Sequence, residues 1–142
     1  MIYFDVSYIA RLYVEDSGWE KVRALAGQNP IACSLHGHTE LVAAMHRKFR
    51  ERVFTPAQYR HLLDQFKVDC DQNAFWWLPL SPAVSARAKA SYESLPRTVF
   101  LRASDALHLA SASENRFREI YSNDERLLAA ANHFAFKGMD II

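Results

Sequence analysis

Short apolar segments alternate along this chain with longer segments of helical periodicity, and this alternation limits the possible folds more than any other feature. The apolar segments occupy residues 2–4, 31–33, 76–80, 119–121 and 139–142. Segments this short and this apolar are typical of strands that are buried on both faces. Strands that alternate with helices form a parallel sheet with helices packed against it. The sequence therefore predicts an α/β fold, a three-layer sandwich with a parallel sheet of about four to five strands.

The chain has the size and the continuity of one domain. It contains 142 residues, which suits a single core, and no Pro-, Gly- or Ser-rich linker interrupts it. Two predicted helices, at about residues 35–50 and 56–72, lie between the second and third strands. They make this crossover longer than a simple strand–helix–strand unit requires. We therefore expect one domain over residues 1–142.

Charge and cysteine content point to no special class of partner or compartment. The chain has 17 Lys plus Arg against 16 Asp plus Glu, the balance of an ordinary globular protein. No segment approaches the roughly 20 apolar residues that cross a bilayer, and the first residues, MIYFDVSY, lack the pattern of a signal peptide. We therefore expect a cytoplasmic protein. Cys33 and Cys70 lack a metal-ligand spacing and are expected to be free thiols.

Four acidic residues occupy positions that this fold would bring together. Asp5 and Asp124 each follow a predicted strand and precede a predicted helix, whereas Glu40 and Asp105 lie on the apolar faces of two other helices. Ligands of open α/β sheets bind at the carboxyl ends of the strands. We therefore predict that the four carboxylates converge at that edge of the sheet.

Clustered carboxylates need a compensating positive charge. Two of them about 4 Å apart repel by roughly 4 kcal/mol at an effective dielectric constant of 20. Oxygen ligands without a nearby cysteine favour Mg²⁺ or Mn²⁺, and such ions commonly act on phosphate esters. The sequence has no Walker loop, GxSxG elbow or GxGxxG turn. The residues therefore predict metal-dependent hydrolysis of phosphodiester bonds.

Four segments around these acids have a distinctive sequence: IYFDVSYIARLY, SLHGHTELVAAMHRK, LRASDALHLASA and IYSNDERLLAAA. Together they resemble the PIN domain family, and within it the VapC-type toxins of type II toxin–antitoxin pairs. The first segment resembles the family's opening strand with its Asp-x-Ser step, here Asp5 and Ser7. The third is the most specific, because the family's third acid stands in a very similar Asp-Ala-x-His-Leu-Ala context.

The resemblance implies a Mg²⁺- or Mn²⁺-dependent endoribonuclease that hydrolyses RNA and slows translation. It implies that Asp5, Glu40, Asp105 and Asp124 are the catalytic residues and hold one or two metal ions. It also implies a homodimer and a cognate VapB-like antitoxin that inserts a segment near the active site.

Several of these residues also have ordinary structural explanations. Asp5 and Asp124 would serve as helix N-caps, each worth about 1 kcal/mol. Glu40 would form an exposed ion pair with Arg47 or Arg50, worth roughly 0.2–0.5 kcal/mol.

Two serines and three basic residues near the acids have possible supporting roles. Ser7 and Ser122 are candidates to hydrogen-bond water or the ligand acids, or to form ordinary caps and turns. Arg47, Lys48 and Arg50 would contact RNA phosphates or simply form a solvated helix face. The aromatic residues 75–77 are expected to enter the core rather than stack on bases.

Three histidines stand close in sequence to the predicted acids. Asp105 would accept a hydrogen bond from His108 if it were structural, and His108 itself is expected to be a core histidine outside the catalytic set. His36 and His38 depart from the family pattern. His36 stands four residues before Glu40, a spacing that zinc sites use, but no third nitrogen or thiolate ligand occurs at a local spacing.

The sequence is also compatible with two other functions. One is a catalytically inactive PIN-like module that binds an antitoxin, RNA or another protein. The other is aspartyl-phosphate chemistry, which also places an Asp after the first strand. A haloacid-type phosphatase needs a second Asp where this chain has Ser7, and a receiver domain needs one after its third strand, where the chain continues into Ser81.

Overall fold

A computed structural model describes residues 1–142 and consists of one parallel sheet with helices on both faces. The five strands are β1 (Ile2–Phe4), β2 (Ile31–Ser34), β3 (Phe75–Leu78), β4 (Glu119–Tyr121) and β5 (Lys137–Met139). They lie in the order β3-β2-β1-β4-β5, and every neighbouring pair is parallel. The predicted α/β class and strand number are confirmed.

Seven α-helices connect and cover the strands. They are α1 (Val6–Tyr13), α2 (Trp19–Ala26), α3 (His36–Arg50), α4 (Pro56–Asp71), α5 (Pro82–Ser94), α6 (Ala103–Glu114) and α7 (Glu125–Ala131), and a short 3₁₀ helix follows at Asn132–Phe134. Helices α3 and α4 form the long crossover between β2 and β3 that the sequence predicts. Thr55 caps α4 through a reciprocal capping box with Gln58, which explains why this helix begins at Pro56.

Each face of the sheet has its own hydrophobic core because side chains alternate along the strands. Tyr3 faces a core built with residues of α5, α6 and α7, whereas the next residue, Phe4, faces a core built with residues of α1 to α4. Both side chains are fully buried. The sheet is therefore the middle layer of the three-layer sandwich.

The strand order reverses between the neighbouring strands β1 and β4. Strands β2 and β3 extend the sheet on one side of β1, and β4 and β5 extend it on the other. The two loops that leave β1 and β4 therefore diverge and open a crevice at the carboxyl edge of the sheet. This crevice receives the residues that directly follow both strands.

Two details differ from the sequence-based predictions. The last strand occupies Lys137–Met139 rather than residues 139–142. An edge strand needs only one partner, and its exposed Lys137 and its side-chain-free Gly138 weaken the apolar pattern. In β3 the side chain of Trp76 is 61% exposed, although its neighbour Phe75 is buried. Trp76 therefore lies largely outside the core, whereas Phe75 and Leu78 are buried in it.

No helix of the structure has the length and apolarity needed to cross a membrane.

Candidate metal centre

Asp5 is the most deeply fixed carboxylate of the crevice. It follows the central strand β1 and caps α1 by accepting a hydrogen bond from the backbone N–H of Tyr8. The hydroxyl of Ser7 donates to its Oδ1 at 2.6 Å, and the hydroxyl of Ser122 donates to its Oδ2 at 2.5 Å. Burial raises the pKa of Asp5, and the two serine hydrogen bonds oppose that rise. The carboxylate is thus held in place by donors that also favour its charged form.

Asp124 reaches the same crevice from the next strand. It caps α7 by accepting hydrogen bonds from the backbone N–H groups of Arg126 and Leu127. Its own backbone N–H donates to the Ser122 hydroxyl at 2.9 Å. Ser122 therefore links Asp5 and Asp124, and both acids combine a capping role with a place beside the crevice.

Asp105 lies in the first turn of α6 and is paired with a cation that the sequence interpretation overlooked. Its side chain is only 7% exposed, and Arg102 donates to it twice, from Nε at 2.8 Å and from Nη2 at 3.1 Å. The same Nη2 also contacts Asp124. The guanidinium therefore lies between two of the four predicted acids, and its hydrogen bond to Asp105 raises the pKa of Arg102.

Glu40 contacts two histidines rather than the arginines considered from sequence. Its Oε2 lies 2.8 Å from Nε2 of His108 and 3.6 Å from Nε2 of His36. Burial favours a higher pKa for Glu40, but the hydrogen bond and charge of His108 outweigh it, and the pKa is lowered. The alternative of an ion pair with Arg47 or Arg50 does not describe the partners of Glu40.

His108 is buried and hydrogen-bonded, as expected of a core histidine, and it also lines the crevice. Its Nδ1 is 2.8 Å from the hydroxyl of Tyr3, which already accepts the backbone N–H of Ser34 at 3.1 Å. The tyrosine proton is thus free to go to Nδ1, which leaves the proton on Nε2 to bond Glu40. The chain Tyr3–His108–Glu40 fixes the acid from behind.

His36 and His38 occupy different environments although they are two residues apart. The Nε2 of His36 donates to the carbonyl of Ser104 at 3.1 Å, and burial, followed by the neighbouring His108, lowers the pKa of His36 to about 4. His38 lies on another face of α3, where its Nε2 is 3.4 Å from the sulfur of Cys70. Only His36 lies near the predicted acids.

All four predicted acids line one open cavity of about 620 Å³. Six basic or imidazole side chains line it too, namely Arg11, Arg47, Lys48, Arg102, His108 and Arg126. Arg50, which was grouped with Arg47 and Lys48 from sequence, is not among the residues that line this cavity. Lys48 also forms an ion pair with Asp16 at 2.9 Å.

The donor set of the cavity suits a hard divalent cation. Carboxylates from four separate parts of the chain line the cavity, and hydroxyl groups hold one of them in a fixed orientation. A positive group, the Arg102 guanidinium, already lies between Asp105 and Asp124, as expected where clustered acids need compensation. Carboxylate oxygens are the preferred ligands of Mg²⁺ and Mn²⁺.

The comparison with protein families agrees with this arrangement. The family model described as "PIN domain" matches residues 2–133. The chain belongs to the PIN domain family. No curated protein matched its sequence.

Solved structures with this PIN fold resemble the chain over nearly its whole length. FitAcB from Neisseria gonorrhoeae has a TM-score of 0.75 at 17% identity, with 98% of this chain and 96% of that chain covered. VapBC2 from Rickettsia felis bound to a DNA fragment from their promoter has a TM-score of 0.70 at 14% identity, with 100% of both chains covered. A toxin–antitoxin complex from Klebsiella pneumoniae has a TM-score of 0.63 at 18% identity, with 94% of both covered. At these identities the likeness establishes the fold.

Proposed function

We propose that this PIN domain protein is a metal-dependent endoribonuclease and the toxin of a VapBC-type toxin–antitoxin pair. One observation supports the catalytic part above all others. Four carboxylates that lie far apart in sequence line a single cavity at the point where the strand order reverses. They belong to Asp5, Glu40, Asp105 and Asp124. Acids placed this way are costly to the fold unless a cation compensates them.

The proposed ligands of Mg²⁺ or Mn²⁺ are Asp5 and Asp105, assisted by Glu40 and Asp124, for one or two ions. A bound ion supplies Lewis acidity and positive charge beside the phosphodiester group. Asp5 is oriented by the hydroxyls that bond its two oxygens. Glu40 is held by the Nε2–H of His108, so both carboxylates face the substrate in fixed positions.

The basic side chains of the cavity give the proposed contacts to RNA phosphates. Arg47 and Lys48 follow Glu40 on α3 by about two turns and line the same cavity. Cations next to an acidic site let a polyanion approach carboxylates that would otherwise repel it. We assign the first phosphate contacts to these two residues and leave Arg50, which was grouped with them, outside the cavity.

The proposed partners follow from the kinds of protein that share the fold. Two of the similar structures are toxin–antitoxin or VapBC complexes by their descriptions. We propose a VapB-like antitoxin as the cognate partner of this chain, a homodimer as its assembly, the cytoplasm as its location and one domain over residues 1–142.

The test is cleavage of total cellular RNA by purified protein free of antitoxin, with Mg²⁺, Mn²⁺ or EDTA. We expect discrete products that require a divalent ion and disappear in Asp105→Asn. A matched control is Asp64→Asn, which changes an exposed aspartate of α4 outside the cavity and is expected to cleave as the unaltered protein does. Intact RNA under every condition, from protein with a cooperative unfolding transition, would contradict the proposal and favour an inactive binding module.

A further inference from the structure

A second group of metal-binding side chains shares Glu40 with the four carboxylates and adds two histidines to it. It consists of His36, Glu40 and His108, whose ligand atoms all lie within 4.8 Å of one another. The two histidines come from α3 and α6, so the group forms only when the fold is complete. From sequence the third ligand was missing, because His108 is 68 positions from Glu40.

We infer that His36, Glu40 and His108 form a binding site for a borderline divalent ion such as Zn²⁺, which shares Glu40 with the oxygen-lined site and differs from it in its two nitrogen ligands. Two imidazole nitrogens and one carboxylate are a common ligand set for zinc, and they are poorly suited to Mg²⁺. The inference depends on these three side chains and not on ribonuclease activity.

The two distances from Glu40 to the histidines lie close to those of a bound ion. A tetrahedral site with Zn–N and Zn–O bonds of about 2.0–2.1 Å places its ligand atoms about 3.4 Å apart. Glu40 Oε2 is 2.8 Å from His108 Nε2 and 3.6 Å from His36 Nε2, values on both sides of that separation. The Glu40 side chain is 33% exposed, so the fourth position faces the open cavity.

The Nδ1 atom of each imidazole ring has a hydrogen-bond partner, as histidine ligands of metal ions commonly do. Nδ1 of His36 is 2.8 Å from the Ser34 hydroxyl, and Nδ1 of His108 is 2.8 Å from the Tyr3 hydroxyl. Hydrogen bonds of this kind orient histidine ligands toward their ion.

A hydroxyl partner also permits the change of tautomer that binding requires. Without an ion each Nε2 carries its proton, since His36 donates to the Ser104 carbonyl and His108 donates to Glu40. A ligand Nε2 must be free of that proton, so the proton has to be on Nδ1 instead. The Ser34 hydroxyl can accept from Nδ1–H of His36 as readily as it donates to Nδ1. The Tyr3 hydroxyl already accepts the backbone N–H of Ser34, so it must accept a second hydrogen bond and turn its own proton away from His108 when that ring changes tautomer.

The decisive experiment measures Zn²⁺ affinity by competition with a chromophoric chelator, using the full chain and zinc chloride alone. We expect the unaltered protein to bind one Zn²⁺ ion tightly per chain. His36→Ala should bind it at least about tenfold more weakly. His46→Ala changes an exposed histidine of the same helix and is expected to leave the affinity unchanged. X-ray absorption at the zinc edge should show two imidazole ligands.

Two results would overturn the inference. One is unchanged affinity in His36→Ala, provided that circular dichroism shows the variant to be folded. The other is loss of the tightly bound Zn²⁺ ion in Asp105→Asn with retention in His36→Ala, which would place the zinc in the carboxylate cluster. Because no RNA is present in this assay, a failure here leaves the ribonuclease proposal standing, and failed RNA cleavage leaves zinc binding standing.

Discussion

Replacing Arg102 with Gln tests whether the guanidinium stands in for a metal ion in the acidic cavity. Arg102 contacts Asp105 through two hydrogen bonds and also touches Asp124. Two opposite charges about 4 Å apart attract by roughly 4 kcal/mol at an effective dielectric constant of 20. Since the Arg102 side chain is 47% exposed, solvent screens much of this attraction, and we expect a loss of about 1–2 kcal/mol in the free energy of unfolding.

Loss of the interaction between Arg102 and the carboxylates should increase the affinity for a metal ion. In the unaltered protein an ion and the guanidinium compete for the same carboxylate oxygens of Asp105. Removing the competitor should therefore strengthen Mn²⁺ binding by about 5- to 30-fold, which is the factor that corresponds to 1–2 kcal/mol. The melting temperature of Arg102→Gln in EDTA should be lower by roughly 2–8 °C and should rise more on adding Mn²⁺ than that of the unaltered protein.

The assay is isothermal titration with Mn²⁺ together with thermal unfolding in EDTA. The matched control is Arg87→Gln, because Arg87 pairs with Glu114 outside the cavity and its side chain is 49% exposed. We expect the control to leave Mn²⁺ affinity unchanged. Mn²⁺ binding that is weaker in Arg102→Gln than in the unaltered protein would refute the competition and make the guanidinium part of the binding site.

Three further substitutions test the surroundings of the site. Burial raises the pKa of Asp5. At pH values above the ordinary aspartate pKa, its negative charge therefore destabilises the metal-free fold. Asp5→Asn should therefore raise the melting temperature in EDTA at neutral pH, with a gain that shrinks as pH falls through the folded pKa; a lower melting temperature at both neutral and acidic pH would contradict this. Tyr3→Phe removes the hydroxyl that accepts the backbone N–H of Ser34 and bonds His108. Denaturant unfolding should show a loss of about 1–3 kcal/mol in the free energy of unfolding. No loss would mean that the hydroxyl is dispensable. Gly37→Ala would place a Cβ 2.7 Å from the buried sulfur of Cys33 and should lower the free energy of unfolding by about 1–3 kcal/mol. In the control Gly27→Ala the Cβ meets nothing closer than 3.5 Å, so the free energy of unfolding should change by less than about 1 kcal/mol. Equal effects of the two substitutions would remove the steric explanation.

Residues that follow a strand could be placed from the sequence, because local pattern determines where a strand ends. Asp5 directly follows the apolar triplet of β1, and Asp124 follows β4 after a short turn. A parallel sheet brings such positions to one edge whatever the strand order. The placement of Asp5 and Asp124 beside one cavity was therefore predictable from the sequence.

Contacts between distant helices could not be predicted in the same way. The pairing of Glu40 with His108 depends on which helices lie side by side, and that follows from the strand order rather than from any local pattern. Arg102 was a different kind of omission, because it stands three residues before Asp105, a spacing at which helix side chains meet. A search in both directions along α6 would have found it.

The most direct test of the account is a crystal structure of the protein soaked in Mn²⁺, with data collected for anomalous scattering. The account predicts a manganese peak in the cavity, bounded by the carboxylates of Asp5 and Asp105 and close to those of Glu40 and Asp124. The Arg102 side chain should be displaced from its position between Asp105 and Asp124. A cavity without a peak at Mn²⁺ concentrations that support RNA cleavage, or a peak only between His36 and His108, would contradict the assignment of the four carboxylates as the catalytic metal site.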